Sequence, residues 1–406
     1  MEKKKRTKKT KGKIMQSIFK GFLIFAGFII LLSAVCSLIS FVGLAANMKL
    51  AESFTAVTKD DYLTPTIDPD TGYYTFVTDR DFRILQVTDT HVGAGFMSVK
   101  KDAWAINAVK DLVNYVKPDL IIITGDMIYS DFTRTGNINN MTATRLFARA
   151  IENLGVYWTV AFGNHDSDVY ARFDRDEIAT YYESSELPHC IFQRGPDNIF
   201  GYGNQVVNVK NTSGTITQSI FVFDSNQYRT GFRTDYDNIH EDQIEWYKNE
   251  VLRLDAYNKQ KGATETLQSL AFFHIPMKEY RTAWHEYIAA GSTDTENVQY
   301  VYGIAGESDK IVWSSDHDDL LFETMIELGS TQGVFVGHDH LNNFSIMYNG
   351  GAGDRYIKLT YSLSIDYLAY WGIYKKTAQR GGTVIDIKPN GEFSSYALRL
   401  KNFEVV

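Results

Sequence analysis

The sequence predicts an α/β domain carried behind one apolar helix of membrane-spanning length. Three observations predict it. From Phe82 onward, branched apolar runs alternate with segments of helical period. Five of those runs end in short motifs of Asp, His, Asn and Gly. From Gly21 to Met48 there is no charged side chain. Strands alternating with helices imply parallel strands joined by crossovers.

The N-terminus comes first. Lys3, Lys4, Lys5, Arg6, Lys8, Lys9, Lys11 and Lys13 form a basic run ahead of the uncharged stretch. About twenty helical residues cross a hydrocarbon core of roughly 30 Å. The positive-inside rule keeps the basic end in the cytoplasm. The expected layout is a cytoplasmic tail over 1–20, a transmembrane anchor over 21–48, a spacer with edge strands over 49–80 and one domain over 81–406. Gly43-Leu44-Ala45 resembles a signal cleavage site, which leaves a cleaved, secreted form as the alternative. In both cases the body is extracytoplasmic.

Within 49–80, Pro65, Pro69 and the Asp70-Thr71-Gly72 turn point to a spacer followed by an edge hairpin. Strands are expected at 83–88, 119–124, 157–162, 219–224, 270–274 and 333–337, because these runs are short, branched and apolar. Helices are expected at 99–116, 142–154, 241–257 and 318–328 from their apolar periodicity. The stretch 279–315, with Gly291, Gly303 and Gly306, reads as an insertion or long loop. Antiparallel strands near 343–348, 355–361, 382–388 and 393–400 are expected to finish the chain.

Charge and cysteine content narrow the function. Residues 50–406 carry 31 basic and 48 acidic side chains, so the body is strongly acidic and no nucleic-acid partner is expected. Cys36 lies in the apolar helix and leaves Cys190 without a partner in the body, which excludes an intrachain disulfide framework there.

The strand-end motifs are Asp89-Thr90-His91, Gly125-Asp126, Gly163-Asn164-His165-Asp166, His274, and Gly337-His338-Asp339-His340. Ligands of α/β sheets bind beyond the carboxyl ends of strands, so all five motifs reach one edge. Carboxylate, imidazole and amide oxygen together suit Mn, Fe or Zn. A carboxylate such as Asp126 can bridge two cations, and two cations can clamp a phosphoryl group. His189, His240, His285 and His317 lie outside the motifs and read as ordinary packed or surface residues. The aromatic stripe Tyr367, Tyr370, Trp371 and Tyr374 reads as packing, with a substrate-pocket wall as the alternative.

These motifs, in this order from Phe82 to His340, resemble the calcineurin-like metallophosphoesterase superfamily. Phe272-Phe273-His274-Ile275-Pro276 and the run from Gly337 to Asn342 resemble its purple-acid-phosphatase-like branch. The resemblance implies a four-layer α/β/β/α sandwich of two mixed sheets. It implies two transition metal ions, one on Asp89, His91, Asp126 and His340, the other on Asp126, Asn164, His274 and His338. His165 would be the general acid or phosphate contact, oriented by Asp166. Purple enzymes use a Tyr at the position of Tyr129 as a ligand but lack a His at the position of His91. With His91 present, Tyr129 is expected behind the ligands. The implied activity is hydrolysis of phosphate esters by metal-bound water or hydroxide. A phosphodiesterase or nuclease on the same site, or a non-catalytic surface module on the same scaffold, is the alternative.

Overall fold

The computed structural model describes residues 2–229, 235–308 and 311–406, with side chains from Gly12 onward. The basic side chains before Gly12 lie outside the described residues. Along the chain come α1 (Glu2–Glu52), β1 (Thr66–Ile67), β2 (Tyr74–Val77), β3 (Phe82–Val87), α2 (Val99–Val116), β4 (Leu120–Thr124), α3 (Phe132–Thr135), α4 (Asn140–Glu152), β5 (Tyr157–Ala161) and α5 (Arg175–Tyr182). The second half adds β6 (Gln205–Lys210), β7 (Ile216–Val222), α6 (Glu241–Gln260), β8 (Ser269–Phe272), α7 (Lys278–Ala289), β9 (Val298–Tyr302) and α8 (Leu321–Leu328). It ends with β10 (Thr331–Val336), β11 (Ser345–Tyr348), β12 (Ile357–Tyr361), β13 (Gly381–Ile387), β14 (Phe393–Arg399) and β15 (Glu404–Val405).

The strands form two mixed sheets, in the orders β15-β14-β13-β3-β4-β5 and β1-β2-β6-β7-β8-β10-β12-β11-β9. Alternation along each strand explains how they stack, because successive side chains leave opposite faces. In β4, Leu120 and Ile122 join Val207, Ile220, Leu270 and Phe335 in a core between the sheets. Ile121 and Ile123 face the other way, into a core with α2 and α4. On the far side, Phe221, Ala271 and Val334 pack against Tyr247 and Leu254 of α6. The layers therefore run helices, sheet, sheet, helices.

Two expectations needed correction. The stretch 279–315 is not a plain loop. It holds most of α7, with Tyr280, Ala283 and Trp284 buried on one face, and the edge strand β9. The glycines sit around these elements rather than within them. The strand expected near 355–361 is not purely antiparallel, since β12 pairs antiparallel with β11 but parallel with β10.

The apolar helix α1 extends past the expected anchor and docks on the domain. Asn47 donates to the Val99 carbonyl at 2.9 Å, and Asn153 donates to the Ala51 carbonyl at 2.9 Å. A Cβ on Gly43 would lie 2.4 Å from Val99, so this contact needs glycine. Ala51, Phe54 and Val57 are buried in the core under α2 and α4, so the start of the spacer is packed. The expected edge hairpin is β1–β2, and β2 pairs parallel with β6.

Candidate metal centre

Six strands deliver the site. β3, β4 and β5 of one sheet lead into Asp89, Asp126 and Asn164; β8, β10 and β12 of the other lead into His274, His338 and Asp366. The loops stay registered after the strands end, because Asp89 N–H donates to the Gly125 carbonyl and His91 N–H to that of Asp126. Asp89, His91, Asp126 and His338 all adopt left-handed backbone, with φ of 53°, 48°, 49° and 78°. Such residues cost of order 1–3 kcal/mol each, and a cluster of them is the mark of a functional site. At Gly163 a Cβ would sit 2.2 Å from both the amide nitrogen and Oδ1 of Asp126, so only glycine lets the two loops meet.

Two groups of buried ligand atoms converge there. One comprises Asp89, His91, Asp126 and His340, the other Asp126, His274 and His338. His91 Nε2 and His340 Nε2 face each other at 3.1 Å. Two nitrogens each about 2.1 Å from one cation would be spaced in this way. Asp126 Oδ2 lies 3.7 Å from His91 Nε2 and 3.3 Å from His274 Nε2, between the two groups. Asn164 Oδ1 is 3.1 Å from His274 Nε2, while its amide donates to the Tyr228 hydroxyl at 2.8 Å.

The donors are oriented as a cation would require. Asp89 Oδ2 accepts from the Thr88 hydroxyl and the His338 N–H. Its Oδ1 is buried with no hydrogen-bond partner among the described residues and faces His340 Nε2 at 3.3 Å. His274 Nδ1 donates to the Thr124 carbonyl at 2.8 Å, which turns Nε2 inward. Asp366 Oδ2 meets His340 Nδ1 at 2.9 Å and does the same for that ring. The buried Asp/His set therefore fits a dinuclear centre.

Electrostatics agree. Burial pushes the Asp126 carboxyl up, but His274, His165 and His91 outweigh it and hold it well below the carboxylate range. Burial pushes His274 down, but Asp126 and Asp89 overcome it and raise the imidazole to about 9. Burial and the neighbouring His274 ring push His338 well down. Buried carboxylates of this kind demand positive charge nearby, and protons or metal cations can supply it.

Two assignments change here. The carboxylate on the His165 ring is Asp168, whose Oδ2 is 2.8 Å from Nδ1, and not Asp166. Asp166 is fully buried and accepts the N–H groups of Gly163, Asp126 and Ile128. It braces the loops that carry Asp126 and Asn164. Asp366, unanticipated from the sequence, follows β12 on the same edge as the other motifs, and that position was its only signal. Tyr129 packs edge-on against His91 and His165, with its hydroxyl 3.4 Å from Asp131 Oδ2. Tyr370 stacks on His340, whereas His189 and His240 pair with Glu152 and Asp237 away from the centre.

Replacing Asp366 by Ala should leave the fold intact and weaken metal affinity about 10- to 100-fold, since it frees the His340 ring to rotate. A metal titration reads this directly, and unchanged affinity would remove Asp366 from the account.

Comparison with known proteins places the chain. A family profile described as calcineurin-like phosphoesterase matches residues 82–342. The chain is 28% identical over 310 residues to an Arabidopsis thaliana protein named probable inactive purple acid phosphatase 14, covering 68% of this chain and 72% of that one. It is 26% identical over 315 residues to probable inactive purple acid phosphatase 28 of the same plant, at the same coverage. Phosphatase DCR2 of Saccharomyces cerevisiae is 26% identical over 284 residues, 65% of this chain and 45% of the yeast protein. With its profile matched over more than half its length and the Asp/His centre intact, the chain belongs to the calcineurin-like phosphoesterase family.

Proposed function

We propose that the chain is a dinuclear metal-dependent hydrolase of phosphate esters, anchored by α1 with its domain on the extracytoplasmic side. The observation that carries this reading is Asp126 Oδ2, which lies between two buried groups of candidate ligands, one of four residues and one of three. One ion would rest on Asp89, His91, Asp126 and His340. The other would rest on Asp126, Asn164, His274 and His338. Such a pair neutralises phosphoryl oxygens and acidifies an attacking water.

The protein's own groups supply the rest. The His165 side chain is 18% exposed, whereas the carboxylates and imidazoles of the two ligand groups are almost wholly buried. It is therefore the residue placed to meet a substrate. Asp168 accepts at Nδ1 and, held in turn by the Tyr170 hydroxyl at 2.7 Å, fixes the ring. A proton exchanged with the leaving oxygen then passes through Nε2. The strongly acidic body favours small esters over long nucleic acids.

The rival is a non-catalytic module, favoured by the word "inactive" in the names of the plant relatives. A module that had lost catalysis should have lost a ligand or His165, and this chain has kept them all. The full chain, loaded with Mn, Fe or Zn, should release phosphate or alcohol from a panel of mono- and diesters and stop when chelated. No turnover by the metal-loaded protein on any ester would favour the module.

The close approach of Gly43 to Val99, within the segment that cleavage would remove, supports retention of the anchor, and the basic run supports its orientation. Protease added to intact cells should digest the body, and a protected body would reverse the topology.

A further inference from the structure

The loops that follow the metal ligands flank a groove beside α1, which itself docks on α2 and α4. The loop after His91 carries Phe96 and Met97, and Met97 N–H donates to the Thr135 carbonyl in the segment that follows Asp126. Asn137 of that segment donates back to the Gly93 carbonyl. Arg134 lies over the Trp371 ring, in the loop that begins at Asp366. Trp104 stacks near Tyr374 of the same loop. Between Phe96, Met97, Trp104 and Tyr374 and the α1 residues Leu38, Ile39 and Val42 runs a mostly apolar groove of about 860 Å³, with Lys100 and Lys101 on its wall. Trp371 and Arg134 sit in the loops beside it.

The depth of this groove follows from helix geometry. Counting from Lys20, about twenty residues at about 1.5 Å each carry α1 across a hydrocarbon core of roughly 30 Å, ending near Phe41. The groove is lined by the residues around that point, so the rim lies at the bilayer interface on the domain's side. Its composition suits that place. Trp371 is 92% exposed, Phe132 63% and Trp104 45%, a pattern costly in water but ordinary at a membrane interface. Lys100, Arg134, Lys375 and Lys376 give this rim a basic border on an otherwise acidic body, complementary to anionic lipid.

We propose that this rim rests on the bilayer surface and that the ester received by the centre is the phosphate headgroup of a lipid in that leaflet. This rests on the hydrolytic reading above and on retention of α1. For a lipid phosphomonoester, the oxygen of water bonds to phosphorus as the phosphorus–glycerol oxygen bond breaks. The leaving oxygen takes a proton, giving diacylglycerol and inorganic phosphate.

The test uses the metal-loaded full chain in phosphatidylcholine vesicles containing phosphatidic acid, with nitrophenyl phosphate added as a soluble ester. Trp371→Ala should slow phosphatidic acid hydrolysis about tenfold, by loss of one interfacial aromatic, and leave nitrophenyl phosphate hydrolysis unchanged. Lipids brominated near the glycerol should quench the fluorescence that Trp371→Phe removes. Equal rates of the variant and the parent on phosphatidic acid, or a Trp371 signal untouched by bromolipid, would overturn the proposal. Cleavage of nitrophenyl phosphate without phosphatidic acid would overturn it and leave the hydrolytic reading standing. Cleavage of neither monoester would overturn the lipid substrate, and turnover of a diester in the wider panel would then separate that failure from failure of the hydrolytic reading.

Discussion

Asp126→Asn is expected to strip the centre of metal and to lower turnover by about 10³-fold or more, the scale of several kcal/mol of lost charge stabilisation. The carboxylate does two things at once. Its Oδ2 faces both ligand groups, and its Oδ1 accepts the His165 N–H at 2.7 Å. An amide can present oxygen to only one of these. If the oxygen stays on His165, an NH₂ group points into the centre; if it turns inward, the NH₂ opposes the His165 N–H. The cluster also loses one negative charge among four imidazoles. Elemental analysis should find fewer than two ions per chain, with circular dichroism unchanged. Retention of both ions would show that Asp126 is not the shared ligand.

His165→Asn is expected to lower turnover by 10²- to 10⁴-fold, about what a positioned general acid contributes, while both metals stay bound. His165 lies in neither ligand group, and its ring is held by Asp168. Its loss should therefore appear in kcat rather than in metal content. A nitrophenyl ester, whose leaving oxygen needs little protonation, should suffer much less than an alkyl ester. Equal losses on the two esters would mean that His165 contacts phosphate rather than donating a proton. Loss of metal comparable with that of Asp126→Asn would make it a structural support of the centre.

The contrast between Asp166 and Asp168 shows where the sequence stops being legible. Asp89, His91, Asp126, Asn164, His274, His338 and His340 could be recognised because each follows an apolar strand, and strand ends in two packed sheets share an edge. Asp166 is adjacent to His165, yet its carboxylate turns inward to three backbone N–H groups, and burial together with Asp126 raises it to about 6. Asp168 meets the ring because of the path the loop takes after Asn164, which spacing does not encode. Asp366 was hidden for a similar reason, since it depends on β12 lying parallel to β10 and so ending at the same edge. Strand direction is set by the connection across the sheet, and the strand's own residues do not reveal it. The helix α7 buries only Tyr280, Ala283, Trp284 and Glu279, too narrow a stripe to stand out among glycines and polar residues.

The most direct measurement is a metal titration of the chelator-stripped full chain, with phosphate-ester hydrolysis and bound metal followed together. Two shared ligand groups predict that binding saturates at two ions per chain and that turnover appears as the second ion binds. Saturation at one ion or none, or two bound ions with no turnover of any ester in the panel, would contradict a dinuclear phosphoesterase.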